Sequence, residues 1–193
     1  MPEPADKAAL RRNYMALREA AAPEDRARWS AAVCGHLRAF MASRGLRSVA
    51  AFCPFGAEVD LRALWEGDPG AAWCFPRVAR RTPPTLEWGP LPLEPGTWGL
   101  MEPARTPWTA PPAELILVPG LAFAADGHRL GYGKGFYDGV LRDLRPGIVT
   151  LGVGFALQRC RELPTWEGDV PVQGLVDEGG ITWIPAPGPR ENS

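Results

Sequence analysis

Apolar residues near the start of the chain recur at helical intervals. Leu10, Tyr14 and Leu17 fall along one side of a helix from about Ala5 to Ala21. Pro23 opens a second helix with Glu24 and Asp25 in its first turn. That helix carries Trp29, Val33, Leu37 and Met41 at core spacing and stops at Gly45. The period then changes. Ser48 to Cys53 is a short apolar run suited to a buried strand, broken by Pro54-Phe55-Gly56. Asp60 reads as the N-cap of a short helix through Leu61, Leu64 and Trp65. Ala71 to Phe75 reads as a second strand, ended by Pro76.

Prolines and glycines crowd the stretch from Thr82 to Pro112, which predicts extended segments and turns. Its Leu86, Trp88, Leu91, Trp98, Leu100 and Met101 argue against a loose linker. Leu115-Ile116-Leu117-Val118 is the best buried strand in the chain. A glycine-rich turn follows it, then a helix from about Gly135 to Leu144, then a strand from Ile148 to Phe155. Strand, glycine loop, helix and strand form a βαβ unit. Val170 to Ile184 offers one or two further short strands, and residues 185–193 read as a frayed tail. The expected architecture is one α/β domain over residues 1–184, with a mixed or mainly parallel sheet and helices on both faces.

Composition narrows the function classes. The chain has 193 residues, 46% of them apolar, enough to bury a core. No stretch approaches the roughly 18 consecutive apolar residues of a membrane span. A net charge of -1 gives no general footprint for nucleic acid or an anionic membrane surface. The first helix lacks the apolar segment of a secretory signal. Cys34, Cys53, Cys74 and Cys160 are scattered, and His36 and His128 complete no zinc set. Reduced thiols in a cytoplasmic protein are the expectation. Of 21 cationic residues only Lys7 and Lys134 are lysines; chance placement and a need for a compact ammonium at both positions are the two readings of that bias.

The stretch LVPGLAFAADGHRLGYGKGFYDGVL, from Leu117 to Leu141, carries the chemistry. Gly131, Gly133 and Gly135 alternate with Tyr132 and Lys134 ahead of a helix. Such glycines allow positive φ and present successive backbone N–H groups to an anion. A helix N-terminus, Lys134 and nearby Arg129 add positive charge. The loop is neither a Walker A loop, since Gly135 follows Lys134, nor a dinucleotide fingerprint, since Gly133 and Gly135 are two apart. Glycine content alone fits a structural turn equally well; the added charge favours a phosphate cradle of unspecified kind. Asp138 suits the first helical turn, and beside a phosphate it would also suit Mg²⁺. Asp169 is the second acidic candidate, with a plain turn as the blander alternative.

This segment resembles the VPGLAF…G.RLGYGKGFYD signature of the 5-formyltetrahydrofolate cyclo-ligase (5,10-methenyltetrahydrofolate synthetase) family. The resemblance extends to Lys7-xxx-Arg11, to Glu58 in GAEVD, to Gly99-Leu100-Met101-Glu102-Pro103, and to Gln158 with Leu163-Pro164. It implies sugar-isomerase and CoA-transferase-like, Rossmann-like layering in three layers. It implies ATP- and Mg²⁺-dependent conversion of 5-formyltetrahydrofolate to 5,10-methenyltetrahydrofolate, with ADP and phosphate released. The formyl oxygen would take the γ-phosphoryl group and N10 would then close the ring. The substrate supplies both nucleophiles, in keeping with a chain that shows no Ser–His or Cys–His pairing.

Roles follow from the same resemblance. Lys7, Arg11, Arg129, Leu130, Gly131, Tyr132, Gly133, Lys134, Gly135, Phe136 and Tyr137 would hold ATP, with Lys134 and Arg129 as the catalytic cations. Asp138 and Asp169 would hold Mg²⁺. Glu58 would bond the pterin ring, while Cys53, Phe55, Trp98, Tyr132 and Phe136 would contact folate. The implied partners are small molecules, with no nucleic acid or membrane, and a monomer or weak dimer. Departures from the family pattern are Ala124 and Gln173 in place of aspartates, Gly168 in place of a histidine, and Asp177-Glu178 in place of Thr-Glu.

Overall fold

In the computed structural model, residues 4–67 and 70–185 are described, with side chains from Lys7 onward. The frayed tail expected over residues 185–193 lies, apart from Pro185, outside the described residues. Among the described residues there are four α-helices: α1 (Pro4–Ala20), α2 (Pro23–Arg44), α3 (Arg62–Glu66) and α4 (Phe136–Arg142). The first strands are β1 (Ser48–Ala50), β2 (Ala72–Arg81), β3 (Pro84–Gly89), β4 (Leu93–Pro95), β5 (Met101–Pro103) and β6 (Leu115–Pro119). They are followed by β7 (Ala122–Ala124), β8 (Arg129–Leu130), β9 (Val149–Val153), β10 (Arg159–Cys160), β11 (Gly174–Asp177) and β12 (Gly180–Trp183).

Seven strands form the main sheet in the order β12-β11-β9-β6-β1-β2-β3. The neighbours from β11 through β2 run parallel, while β12 and β3 add antiparallel edges. Alternation along the central strands divides the interior in two. Leu115, Leu117, Val49, Ala51, Leu151 and Val153 face α2 and α3, packing with Val33, Leu37 and Leu64. Ile116, Val118 and Ala50 face the other way, toward Leu141 of α4, Trp88 and Phe123. The expected mainly parallel sheet with helices on both faces is therefore present.

α2 spans the expected residues and ends as read. Gly45 takes φ 64 while Leu46 N–H returns to the Met41 carbonyl, closing the helix in a left-handed cap. Asp60 acts one residue before the expected place: its Oδ1 accepts the Arg62 N–H at 3.0 Å, and α3 begins at Arg62. Three other expectations need correction. α4 covers seven residues rather than ten, so it brings less helix dipole to the glycine loop. β2 runs straight through Pro76. Pro76 faces Trp88, whose own N–H and C=O bond Trp108 on the far side, so this register asks no N–H of a proline. Finally, α1 shows a different face than expected: Leu17 is 46% exposed and Arg18 is 4% exposed.

Outside the main sheet, β10, β7 and β8 make a small three-stranded sheet. α1 rests on it through Leu10 and Tyr14, which pack on Leu121, Ala122 and Leu130. Phe123 of β7 fixes this platform against the main sheet. Its ring fills the space where Cβ atoms on Gly120, Gly152 and Gly154 would stand, at 2.8, 2.6 and 2.8 Å respectively.

Candidate active site

The chain leaves β1 for β2 on one side and β6 for β9 on the other. The carboxyl ends of β1 and β6 thus flank a topological switch point, the usual place for a ligand crevice in an open α/β sheet. A cavity of about 620 Å³ opens there. Its wall takes Phe52 and Cys53 from beyond β1, Pro76 from β2 and Pro119 from β6. The residues given binding, catalytic or metal roles in the sequence all line this one cavity: Lys7, Arg11, Cys53, Phe55, Glu58, Trp98, Arg129 to Asp138, and Asp169. The landmark Gln158 instead is buried in the framework, bonding the Gly120 and Leu121 carbonyls.

The glycine loop shows why glycine is used. Gly133 has φ +86, a conformation that side chains resist, and a Cβ on it would stand 3.0 Å from Cζ of Arg11. Arg11 reaches over the loop and donates from Nε to the Gly131 carbonyl at 2.9 Å. Gly135, at φ 71, turns the chain into α4. Among the described residues Lys134 has no hydrogen-bonded or ion-paired partner. Its ammonium lies 5.9 Å from the Trp98 ring centroid and is exposed toward the cavity. The other cations are engaged: Lys7 with Asp169 at 2.9 Å, and Arg129 with Asp138 at 2.8 Å and the Val170 carbonyl at 2.8 Å.

Those two ion pairs bear on a metal. Asp138 uses Oδ1 for Arg129 and Val170 N–H, while Asp169 uses Oδ2 for Lys7 and Trp166 N–H. Among the described residues no cluster of three His, Cys, Asp or Glu could enclose an ion. Two hard carboxylates in a cavity beside a phosphate-type loop fit Mg²⁺, which takes one or two protein carboxylates and completes its shell with phosphate and water oxygens.

Opposite the loop lies a buried acid. Glu58 Oε1 accepts the Tyr132 hydroxyl at 2.7 Å, and Oε2 accepts the Phe55 N–H at 2.9 Å. Burial holds its pKa above the ordinary carboxylate value, opposed by Tyr132, Phe55 N–H and the charge of Arg18. Arg18 Nη1 is 3.9 Å from Glu58 Oε1, and its Nη2 donates to the Tyr132 hydroxyl at 2.8 Å. Burial, with Glu102 and Glu58 nearby, pushes the Cys53 thiol up to about 12, so it lines the wall as a neutral group and not as a nucleophile. The Tyr137 hydroxyl is buried and has no hydrogen-bond partner among the described residues. Its pKa is raised by burial and by Glu58.

Trp98 projects from the turn between β4 and β5 with φ 58 and is 49% exposed. Arg81 lies 4.8 Å from its ring and Phe136 6.4 Å. A bulky residue in this region costs roughly 1–2 kcal/mol, so the surroundings must enforce it. They do so through Glu102, buried beneath the turn, which accepts the Thr97 N–H at 3.2 Å and the Val78 N–H at 3.3 Å. Glu102 fits because Gly96 has no side chain; a Cβ there would lie 2.2 Å from its Oε2.

Sequence reading missed Arg18, Glu102 as a turn anchor, and Trp166, whose ring lies 5.4 Å from Lys7 Nζ. Arg18 was detectable, since it is eleven residues from Lys7, within about 20° of three whole turns. The departures from the family pattern sit mainly in the framework. Ala124 is buried in β7, and Gln173 bonds Thr150 and Ile148. Asp177 pairs with Arg159, and Glu178 accepts Ala156 N–H. None of these four lines the cavity.

Comparison with known proteins accords with this geometry. A model of the 5-formyltetrahydrofolate cyclo-ligase family matches residues 3–178. A 5-formyltetrahydrofolate cyclo-ligase of Mycolicibacterium smegmatis is 36% identical over 152 residues, covering 67% of this chain and 76% of that protein. The mouse 5-formyltetrahydrofolate cyclo-ligase is 38% identical over a stretch covering 34% of each chain. The NMR structure of Aquifex aeolicus 5,10-methenyltetrahydrofolate synthetase superposes with a TM-score of 0.80 at 30% identity, over 96% of both chains. The 5,10-methenyltetrahydrofolate synthetase of Mycoplasma pneumoniae, 21% identical with a TM-score of 0.75, shares the fold. With a family match over nearly its whole length and a cavity that gathers the signature residues, the chain belongs to the 5-formyltetrahydrofolate cyclo-ligase family.

Proposed function

We propose that this protein converts 5-formyltetrahydrofolate and ATP to 5,10-methenyltetrahydrofolate, ADP and phosphate, with Mg²⁺ required. The observation that carries the reading is the pairing, in one cavity, of a glycine loop bearing Lys134, which has no hydrogen-bonded or ion-paired partner among the described residues, with the buried acceptor Glu58. Arg11, Lys7 and the Leu130 to Tyr137 loop hold the triphosphate, while Glu58 accepts hydrogen bonds from the pterin ring. Cys53, Phe55, Trp98, Tyr132 and Phe136 supply the neutral and aromatic wall against the folate.

Chemistry then needs positioning and charge neutralisation more than a protein nucleophile. The formyl oxygen bonds to the γ-phosphorus as the bond to the ADP oxygen breaks. N10 of the same molecule bonds to the formyl carbon, losing its proton, and the C–O bond breaks to release phosphate. Lys134, unlike the paired Arg129, is free to follow the charge on the transferring group. Asp138 and Asp169 would hold Mg²⁺, which supplies charge neutralisation on the phosphate oxygens when bound. Arg129 keeps Asp138 oriented through its 2.8 Å contact.

The reading includes small-molecule partners only, a cytoplasmic location and a monomer or weak dimer; no described helix is long and apolar enough to cross a membrane. The test is direct. Purified protein with 5-formyltetrahydrofolate, ATP and Mg²⁺ should build the near-ultraviolet band of the methenyl product, and omission of either ATP or Mg²⁺ should abolish it. A flat trace from folded protein that binds both substrates would overturn the assignment.

A further inference from the structure

α1 bears three cations on one line. Lys7, Arg11 and Arg18 are four and eleven residues apart, within about 40° and about 20° of whole helical turns, and Lys7 and Arg18 lie about 16 Å apart along the axis. Lys7 and Arg11 serve the phosphate end of the cavity. Arg18 lies beyond them, is almost completely buried, and is outside the cavity lining. A buried guanidinium is expensive unless it has partners. Its bonds run to Tyr132 and toward Glu58, and its Nε has no partner among the described residues.

The directions of these bonds are fixed by chemistry. Arginine can only donate, so Arg18 occupies a lone pair of the Tyr132 oxygen, and the single phenolic proton is left to go to Glu58 Oε1. Glu58 Oε2 accepts the Phe55 N–H. Both carboxylate oxygens are thus held as acceptors, in a form that suits the N–H donors of a ring and penalises a ring that presents acceptors.

We propose that Arg18 is a positioning residue for the folate half-site: through Tyr132 and by its own charge it biases Glu58 toward the carboxylate, an acceptor of hydrogen bonds. This inference rests on the proposed function for its ligand and on the geometry alone for its network. The groups facing Glu58 are Arg18 from α1, Tyr132 from the loop, Tyr137 from α4 and Cys53 from the strand-end segment. Of these only Arg18 is cationic, and the others stay neutral at ordinary pH because burial raises all three. Loss of Arg18 therefore removes the charge that opposes Glu58 protonation. Binding that needs the carboxylate is present above its pKa and lost as pH falls through it, so losing Arg18 moves this loss to higher pH.

The test compares wild type with R18M, R18K and Y132F, with L17A as an exposed control on the same turn. KM for 5-formyltetrahydrofolate in R18M should rise about tenfold or more with kcat within about threefold, and the increase should grow on acidification. R18K, which keeps the charge, should restore the pH profile, and L17A should match wild type. Carboxyl ¹³C NMR, with the Glu58 signal identified by its absence in E58Q, should show the Glu58 midpoint raised in R18M. An R18M protein with wild-type KM and pH profile, or one that loses kcat alone, overturns the proposal. Should R18M not fold, Y132F carries the test, because removing the relay hydroxyl must also raise the Glu58 midpoint. If wild type neither binds nor turns over folate, the proposed function falls, and the Glu58 midpoint alone decides the network: unchanged, it overturns it; raised, it supports it.

Discussion

Replacing Gly133 by alanine imposes two separate loads on the glycine loop. The residue sits at φ +86, where a side chain is strained by roughly 1–2 kcal/mol. The new Cβ also stands 3.0 Å from Arg11 Cζ, 3.2 Å from Nη2 and 3.3 Å from Nε, so Arg11 must give way by a few tenths of an ångström. That movement loosens its 2.9 Å bond to the Gly131 carbonyl, a charged hydrogen bond of a class worth about 1.5–3 kcal/mol. The strain alone corresponds to about 5- to 30-fold in an equilibrium constant, and loss of the Arg11 contact adds to it. G133A should therefore raise KM for ATP about tenfold or more, while KM for 5-formyltetrahydrofolate changes less than about threefold. Rates of methenyl product formation, with ATP varied at saturating folate, read the effect. The strain that remains in the free protein should lower Tm by a few degrees, at about 2–4 °C per kcal/mol for a chain of this size. Gly131 supplies the control, because its φ is not positive and nothing lies within 4 Å of a Cβ built there. G131A should keep KM for ATP within about twofold. Equal behaviour of the two variants would refute the argument that Gly133 is chosen for its backbone and for Arg11.

Other expectations follow from the same site. K134A should lower kcat by about 10²-fold or more while folate affinity stays within about twofold, as for removal of a group that stabilises transition-state charge; an unchanged kcat would remove Lys134 from the mechanism. D138N should raise the Mg²⁺ concentration needed for half-maximal rate by about tenfold, read by Mg²⁺ titration at fixed ATP, and an unaltered titration would free Asp138 of that role. Cys53, with its thiol pushed up to about 12, should carry about a thousandfold less thiolate than a free cysteine at pH 8. Its alkylation should be correspondingly slow and should quicken about tenfold per pH unit, as followed by mass spectrometry. Alkylation at the rate of a free thiol would contradict the buried neutral group described here.

Much of the site was legible because its backbone conformation admits few residues. Positive φ at Gly133 and Gly135 leaves glycine as the ready choice, and the alternation of glycines is visible in the sequence. β6 was legible for a related reason: a strand covered on both faces has no polar alternation, and Leu115 to Val118 shows none. α1 was misread because periodicity ranks side chains by polarity alone. Leu10 and Tyr14 seat the helix on the small sheet, and the same seating turns Leu17 outward and Arg18 inward. Helical spacing places Arg18 on the Lys7 face, but only the tertiary fold supplies its partner Tyr132, 114 residues away. Pro76 misled in the opposite direction, since its effect on a strand depends on which way its neighbour's N–H points.

The Phe123 socket has a consequence for how this protein can vary. The ring occupies space left empty by three glycines, on β9 and in the turns after β6 and β9, and Gly152 is hemmed in by Leu175 Cδ2 at 2.8 Å as well. F123A should therefore leave a void worth about 3–5 kcal/mol, while G152A should force the intact ring out of its seat. The two changes are opposite errors in volume at one place, so the double variant should be less harmful than the sum of the singles. Substitution at these four positions is thus epistatic, with each tolerated only against a particular background. Because Phe123 seats the platform on which α1 lies, that epistasis should extend to the affinities for both substrates, although neither Phe123 nor Gly152 lines the cavity.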